Sequence, residues 1–139
     1  MTSSSFIQSR VSDLRTTVAR LLDSTQMRFD SSLRGLLPDR HGIYRIFLAS
    51  DPAATLRAGR TKSAAGGLRQ RVYQNHFMGD QQGNLRQQLV SAQMCRDMQH
   101  TKQFIRSYCL VQIVEIEKED ERKWAEHFML SVLRPTFTD

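Results

Sequence analysis

The chain has 139 residues, near the commonest size of a single domain, which leaves room for one core and excludes a multidomain enzyme. Hydrophobic residues at 40% and charged residues at 24% are ordinary globular proportions and exclude wholesale disorder. The net charge is +6, and 16 of the 20 cations are Arg, whose planar fork suits phosphate and carboxylate, so the first expectation is a polyanionic partner.

Taken in chain order, Phe6, Ile7, Val11, Leu14, Val18, Leu21 and Leu22 recur at three and four residues. That spacing predicts an amphipathic helix of about five turns, with Ser5 as its N-cap. Its apolar stripe packs onto the main domain or onto a second copy of the chain. A short apolar group follows at Leu33, Leu36 and Leu37, closed by Pro38-Asp39. From Gly42 the period changes. Gly42-Ile-Tyr-Arg-Ile-Phe-Leu-Ala reads as a strand ending near Ser50-Asp51-Pro52, and Thr55–Gly59 reads as a second, giving a hairpin. A loop at Thr61–Gly67 leads to a helix over Leu68–Phe77. Further helices are expected over Asn84–Met94 and Asp97–Ser107, then a buried strand at Leu110–Ile116. Glu119–Leu133 closes the chain as a helix with acids in its first turn, stopped by Pro135. The expected fold is a small α+β domain: a short central mixed sheet flanked by helices over residues 38–139, with an N-terminal helical extension over 1–37.

Targeting signals add little. The longest apolar stretch, Leu110–Ile116, is interrupted by Gln112 and Glu115, so no membrane span is expected. Residues 1–6 lack a basic region followed by an apolar run, so no secretory signal is expected either. Cys95 and Cys109 read as reduced thiols of a cytoplasmic protein. Their spacing with His100 matches no zinc ribbon or finger.

Two constellations could carry chemistry. Between Pro52 and Gly79 the chain holds Arg57, Arg60, Lys62, Arg69 and Arg71 and no acid, around a hairpin, a Gly-containing loop and a helix start. Such a helix start is already an anion site, so this cluster is expected to bind phosphate. On an α-helical wheel, Arg71, Asn75 and His76 flank the Leu68/Val72 stripe, an arrangement that suits the border of a cleft. The second constellation is Glu126, which projects between Leu130 and Leu133 inside the apolar arc of the closing helix. A carboxylate there needs a metal, a hydrogen-bonding shell or an Arg partner.

These residues resemble a known family. Gly42-Ile43-Tyr44, twelve residues, then Arg57-Ala58-Gly59 on the next strand is similar to the GIY-YIG nuclease signature. The helix Leu68-Arg69-Gln70-Arg71 follows in the family's order, and Glu126 with Pro135 nine residues later repeats its closing element. The likeness spans about Arg40 to Asp139. It implies hydrolysis of a nucleic-acid phosphodiester with one divalent ion per site, Mg²⁺ or Mn²⁺. DNA is the expected substrate, and RNA is left open.

Carried over by position, the resemblance implies that Tyr44 activates or aligns the attacking water and that Arg71 binds the scissile phosphate. It further implies that Glu126 is the metal's one protein ligand. His76, one position beyond the family's usual His or Tyr, is a further candidate, while Arg57, Arg60, Lys62 and Arg69 would contact nucleic acid. Two positions depart from the pattern: Arg57 stands where the family has Tyr, and Thr138 where it has Asn. They leave two readings, an endonuclease or a nucleic-acid binder without turnover. The intact trio Tyr44, Arg71 and Glu126 favours the endonuclease, and a double-strand cut by a one-site module would call for a homodimer, for which the N-terminal helix is the candidate surface.

Overall fold

The computed structural model describes residues 2–138 and opens with a 21-residue helix, α1 (Ser3–Asp23). The N-cap is Thr2 and not the expected Ser5, because the Thr2 hydroxyl accepts the Ser5 N–H at 3.1 Å. Two short elements that the hydrophobic pattern does not resolve come next, the two-residue strand β1 (Met27–Arg28) and the single-turn helix α2 (Leu33–Leu36). The hairpin follows as β2 (Gly42–Leu48) and β3 (Asp51–Arg60). After it come a π-helix (Arg69–Met78), α3 (Leu85–Ser91), α4 (Met98–Tyr108), β4 (Cys109–Glu115) and α5 (Glu119–Leu133).

The fold class is α+β, but the sheet is not mixed. Its order is β1-β4-β2-β3, and every pairing is antiparallel. The one parallel contact among the described residues is an isolated bridge between Arg57 and Phe137. There the chain beyond α5 runs along the outer edge of β3, with Thr136 N–H donating to Thr55 O and Phe137 N–H to Leu56 O. That covering protects an edge that would otherwise be open to pairing. Strand β3 is twice the expected length, since pairing with β2 continues past register shifts at Ile46/Phe47 and Phe47/Leu48 to Asp51.

Strand alternation splits the core in two. Tyr44 and Ile46 of β2 point into one cluster with Leu68, Val72, Phe77, Leu85 and Leu89, under the π-helix and α3. Ile43 points to the other side, with Val18 and Leu21 of α1 and Ala125 and Met129 of α5. Gly42 lets β2 and β4 meet at this level, because a Cβ there would stand 2.1 Å from Val114 O. Helix α1 docks only by its last turns: Val18 and Leu21 are buried, whereas Phe6 and Ile7 are 49% and 59% exposed. No helix of the described residues is long and apolar enough to cross a membrane.

Part of the arginine excess is internal. Arg45, Arg57, Arg86 and Arg122 are all buried, and each guanidinium donates to backbone carbonyls at loop ends. Arg122 alone joins Thr61 O, Ile116 O and Glu117 O, tying the loop after β3 to the start of α5. A five-donor fork can satisfy several orphan carbonyls at once, a use of Arg that composition cannot separate from phosphate binding. Cys95 and Cys109 are free and buried, and burial, then the neighbouring Cys95, pushes the Cys109 thiol up to about 12.

Candidate active site

Antiparallel pairing of β2 with β3 sets Tyr44 opposite Gly59. The Tyr44 ring then lies across the glycine, and a Cβ at residue 59 would come 2.8 Å from the phenolic oxygen. Only glycine leaves that space. Tyr44 is buried, and its Oη lies 2.7 Å from Nε2 of His76, which is itself fully buried on the π-helix.

The other ring nitrogen decides the tautomer. The Leu85 backbone N–H donates to His76 Nδ1 at 3.1 Å, so Nδ1 carries the lone pair and Nε2 the hydrogen. His76 therefore donates to Tyr44 Oη. Desolvation, reinforced by the positive charges of Arg71 and Arg57, holds the imidazole well below its usual 6.5, so it is neutral at neutral pH. An imidazole held in this way stabilises negative charge on the phenolic oxygen and cannot at the same moment accept the phenol's proton.

The π-helix corrects the expected wheel. At α-helical spacing Arg71 and His76 would lie about 140° apart. Bonds from i to i+5 instead stack residues five apart, as the Gln70 Nε2–Asn75 Oδ1 contact of 3.1 Å shows. Arg71 and His76 thus share one side, while the buried pair Val72 and Phe77, also five apart, share another. The sequence carries a trace of this winding in the apolar spacing 68–72–77, four then five residues.

Arg57 is only 1% exposed. Its guanidinium donates to Gly83 O at 2.8 Å and to Gln88 Oε1 at 2.7 Å, and Gln88 passes a further bond to Thr138 O at 2.8 Å. The residue standing where the family has Tyr thus clamps the loop before α3 directly and, through Gln88, the segment beyond α5, and does not face solvent. Gly83, Leu85 and Gln88 are the site-forming residues that sequence reasoning missed. Two act through backbone atoms, which no side-chain pattern marks.

Glu126 reaches β3 from the other side. Its Oε2 accepts the Arg60 backbone N–H at 2.9 Å and its Oε1 accepts Arg60 Nε at 3.2 Å. Both side chains are mostly covered, with 14% and 15% of their surface accessible. Glu119 stands on the far side of the same guanidinium, 4.0 Å from Arg60 Nη1, and accepts the Ser63 N–H at 3.0 Å. That backbone bond, with Arg122 and Arg60 adding, holds the Glu119 carboxyl below its ordinary value.

The remaining basic residues divide. Lys62 is exposed. Arg69 lies apart, donating to Arg34 O and Leu37 O and pairing with Asp39 at 2.7 Å, and so fastens the segment around α2. Tyr44, His76 and Arg71 gather on one side of Gly59-Arg60, and Glu126 meets the same dipeptide at its next backbone N–H. Among the described residues no group of three or more His, Cys, Asp or Glu could together hold a metal ion. A hard cation needs less, since Mg²⁺ is commonly held by one or two carboxylates with water and phosphate oxygens completing its shell. Glu126 fits that role by donor chemistry: each oxygen is committed to one hydrogen bond and retains a lone pair. Comparison with family models, with curated proteins and with solved structures finds no match for this chain.

Proposed function

We propose that this chain is a divalent-metal-dependent endonuclease that hydrolyses DNA phosphodiester bonds through a GIY-YIG-type site. The observation that carries the reading is the convergence of Tyr44, with its His76 donor, and Glu126 on the same two residues of β3, Gly59 and Arg60. The motif order in the sequence and the antiparallel hairpin that brings its two tripeptides side by side point the same way.

In this reading Tyr44 Oη receives or orients the proton of the attacking water. To receive it Tyr44 acts as the phenolate and ends as the neutral phenol, and His76 Nε2–H stabilises the phenolate's negative charge before the transfer, without itself titrating. Arg71 binds the scissile phosphate and stabilises the charge growing on its oxygens. Glu126 would hold a Mg²⁺ or Mn²⁺ ion, whose chemistry is to polarise the phosphoryl group and lower the cost of the departing oxygen. Arg57 is a positioning residue here, fixing the Gly83–Gln88 segment whose Leu85 N–H sets the His76 tautomer.

One observation favours the second reading, a binder without turnover: the carboxylate meant for the metal already has a cationic partner in Arg60. Supercoiled plasmid incubated with Mg²⁺ or Mn²⁺ separates the two. The endonuclease nicks it, and Tyr44→Phe and Glu126→Gln each lower the rate by at least about a hundredfold. A clean preparation that binds DNA in a salt-dependent manner and leaves the plasmid intact supports the binder.

A further inference from the structure

We infer that Arg60 is a built-in counter-ion that competes with the metal for Glu126, with Glu119 as the acceptor that receives its guanidinium when the ion enters. The inference rests on the reading of Glu126 as a metal ligand and adds a residue that controls access to it.

The geometry separates two jobs within one residue. The Arg60 backbone N–H fixes Glu126 Oε2 at 2.9 Å, and because it belongs to a strand it holds the carboxylate in place whatever the side chain does. The Arg60 side chain supplies the charge, through Nε to Oε1 at 3.2 Å. Nη1 of the same guanidinium faces Glu119 Oε1 at 4.0 Å, beyond hydrogen-bond reach but within that of a small rotation. Glu119 is fixed for this role by the Ser63 N–H and lies 4.0 Å from the buried Arg122. It is also half exposed, whereas Glu126 and Arg60 are mostly covered.

A cation approaching Glu126 meets a positive charge already placed beside the carboxylate, and in this partly dry setting such a repulsion is poorly screened. Moving the guanidinium onto Glu119 relieves it and leaves the backbone bond intact. A purely structural ion pair would show none of this asymmetry: removing Arg60 would cost stability and leave ion affinity unchanged.

The test reads Mn²⁺ binding to the full chain by electron paramagnetic resonance, without DNA and without turnover. Arg60→Met keeps the backbone N–H and most of the apolar stem, and it is expected to bind Mn²⁺ at least about fivefold more tightly than the parent. Arg60→Gln serves the same purpose if the Met variant does not fold. Glu119→Gln retains an acceptor for Ser63 but not the charge that attracts Arg60, and it is expected to bind at least about twofold more weakly. An Arg60 variant with equal, weaker or no measurable affinity overturns the competition. Mn²⁺ bound undiminished by Glu126→Gln overturns instead the assignment of Glu126 on which it rests.

Discussion

The two sides of the Gly59-Arg60 dipeptide are built differently. On the phenol side, Tyr44, His76 and Arg57 are buried, and neutral or cationic side chains meet fixed backbone partners: Leu85 N–H donates to His76, and Gly83 O accepts from Arg57. On the carboxylate side, Glu126, Arg60 and Glu119 share charge among partly accessible side chains, and one of the separations is 4.0 Å. The first arrangement cannot shift without leaving buried polar atoms unpaired, a cost of about 1–3 kcal/mol each. The second can exchange partners, because Glu119 stands 4.0 Å from the Arg60 guanidinium as a second acceptor while the Arg60 backbone N–H keeps its hold on Glu126. The phenol side therefore holds geometry and the carboxylate side admits change, a division suited to a site that must keep one group in line while accepting an ion and a phosphate.

The largest effect that would break this contrast belongs to His76. Replacing it with Ala removes a buried ring, strands Leu85 N–H and takes the imidazole donor from Tyr44 Oη, so urea denaturation should show a loss of about 3–5 kcal/mol. A loss no greater than that of an exposed substitution would mean that the phenol side is not rigidly held. Arg57→Met should follow at about 2–4 kcal/mol, since Gly83 O and Gln88 Oε1 lose their donor while the stem is retained. Gly59→Ala comes next, at about 1–3 kcal/mol, because the new methyl group must push the Tyr44 ring aside. Its ultraviolet difference spectrum should report the displaced tyrosine.

The smallest effect is a pH dependence. His76 is held well below 6.5 in the folded chain, chiefly by desolvation and then by Arg71 and Arg57. The unfolded chain takes up this proton as pH falls through about 6.5 and the folded chain does not. Stability from this group is thus complete above about 6.5 and declines below it, by up to about 1.4 kcal/mol per pH unit. Comparing the parent with His76→Gln between pH 5 and 7.5 isolates the contribution, and an identical pH profile in the two would remove His76 as its source.

Much of the fold was legible because periodicity and punctuation agreed. Glu119–Leu133 has acids at its start and Pro135 after its end, and α5 takes those bounds. The tripeptide at Gly42 begins a run of β-branched and aromatic residues, and β2 begins there. What could not be read were features set by tertiary partners. The two residues of β1 become a strand only because Met27 and Arg28 find Val111 and Leu110. The sheet's antiparallel order depends on which edges meet, which no local pattern records. The π-helix differs from an α-helix by one residue per bond, too small a change to see except in the 68–72–77 spacing. At the site, side-chain types brought Tyr44, Arg71, His76 and Glu126 into view, whereas the clamp on Arg57 and the tautomer of His76 depend on backbone atoms of Gly83 and Leu85. The charge count is blunt for a related reason: the sequence counts guanidinium groups, and only packing tells that Arg45, Arg57, Arg86 and Arg122 point inward.

The central claim is that a fixed phenol and an exchangeable carboxylate act on one phosphodiester. Its most direct measurement is the rate of nicking of supercoiled plasmid in Mg²⁺ or Mn²⁺ by the parent chain, Tyr44→Phe and Glu126→Gln, with all three folded by circular dichroism. The account predicts nicking by the parent that depends on the added ion and falls at least about a hundredfold in each variant. No nicking by the parent, or nicking that survives in both variants, would contradict it.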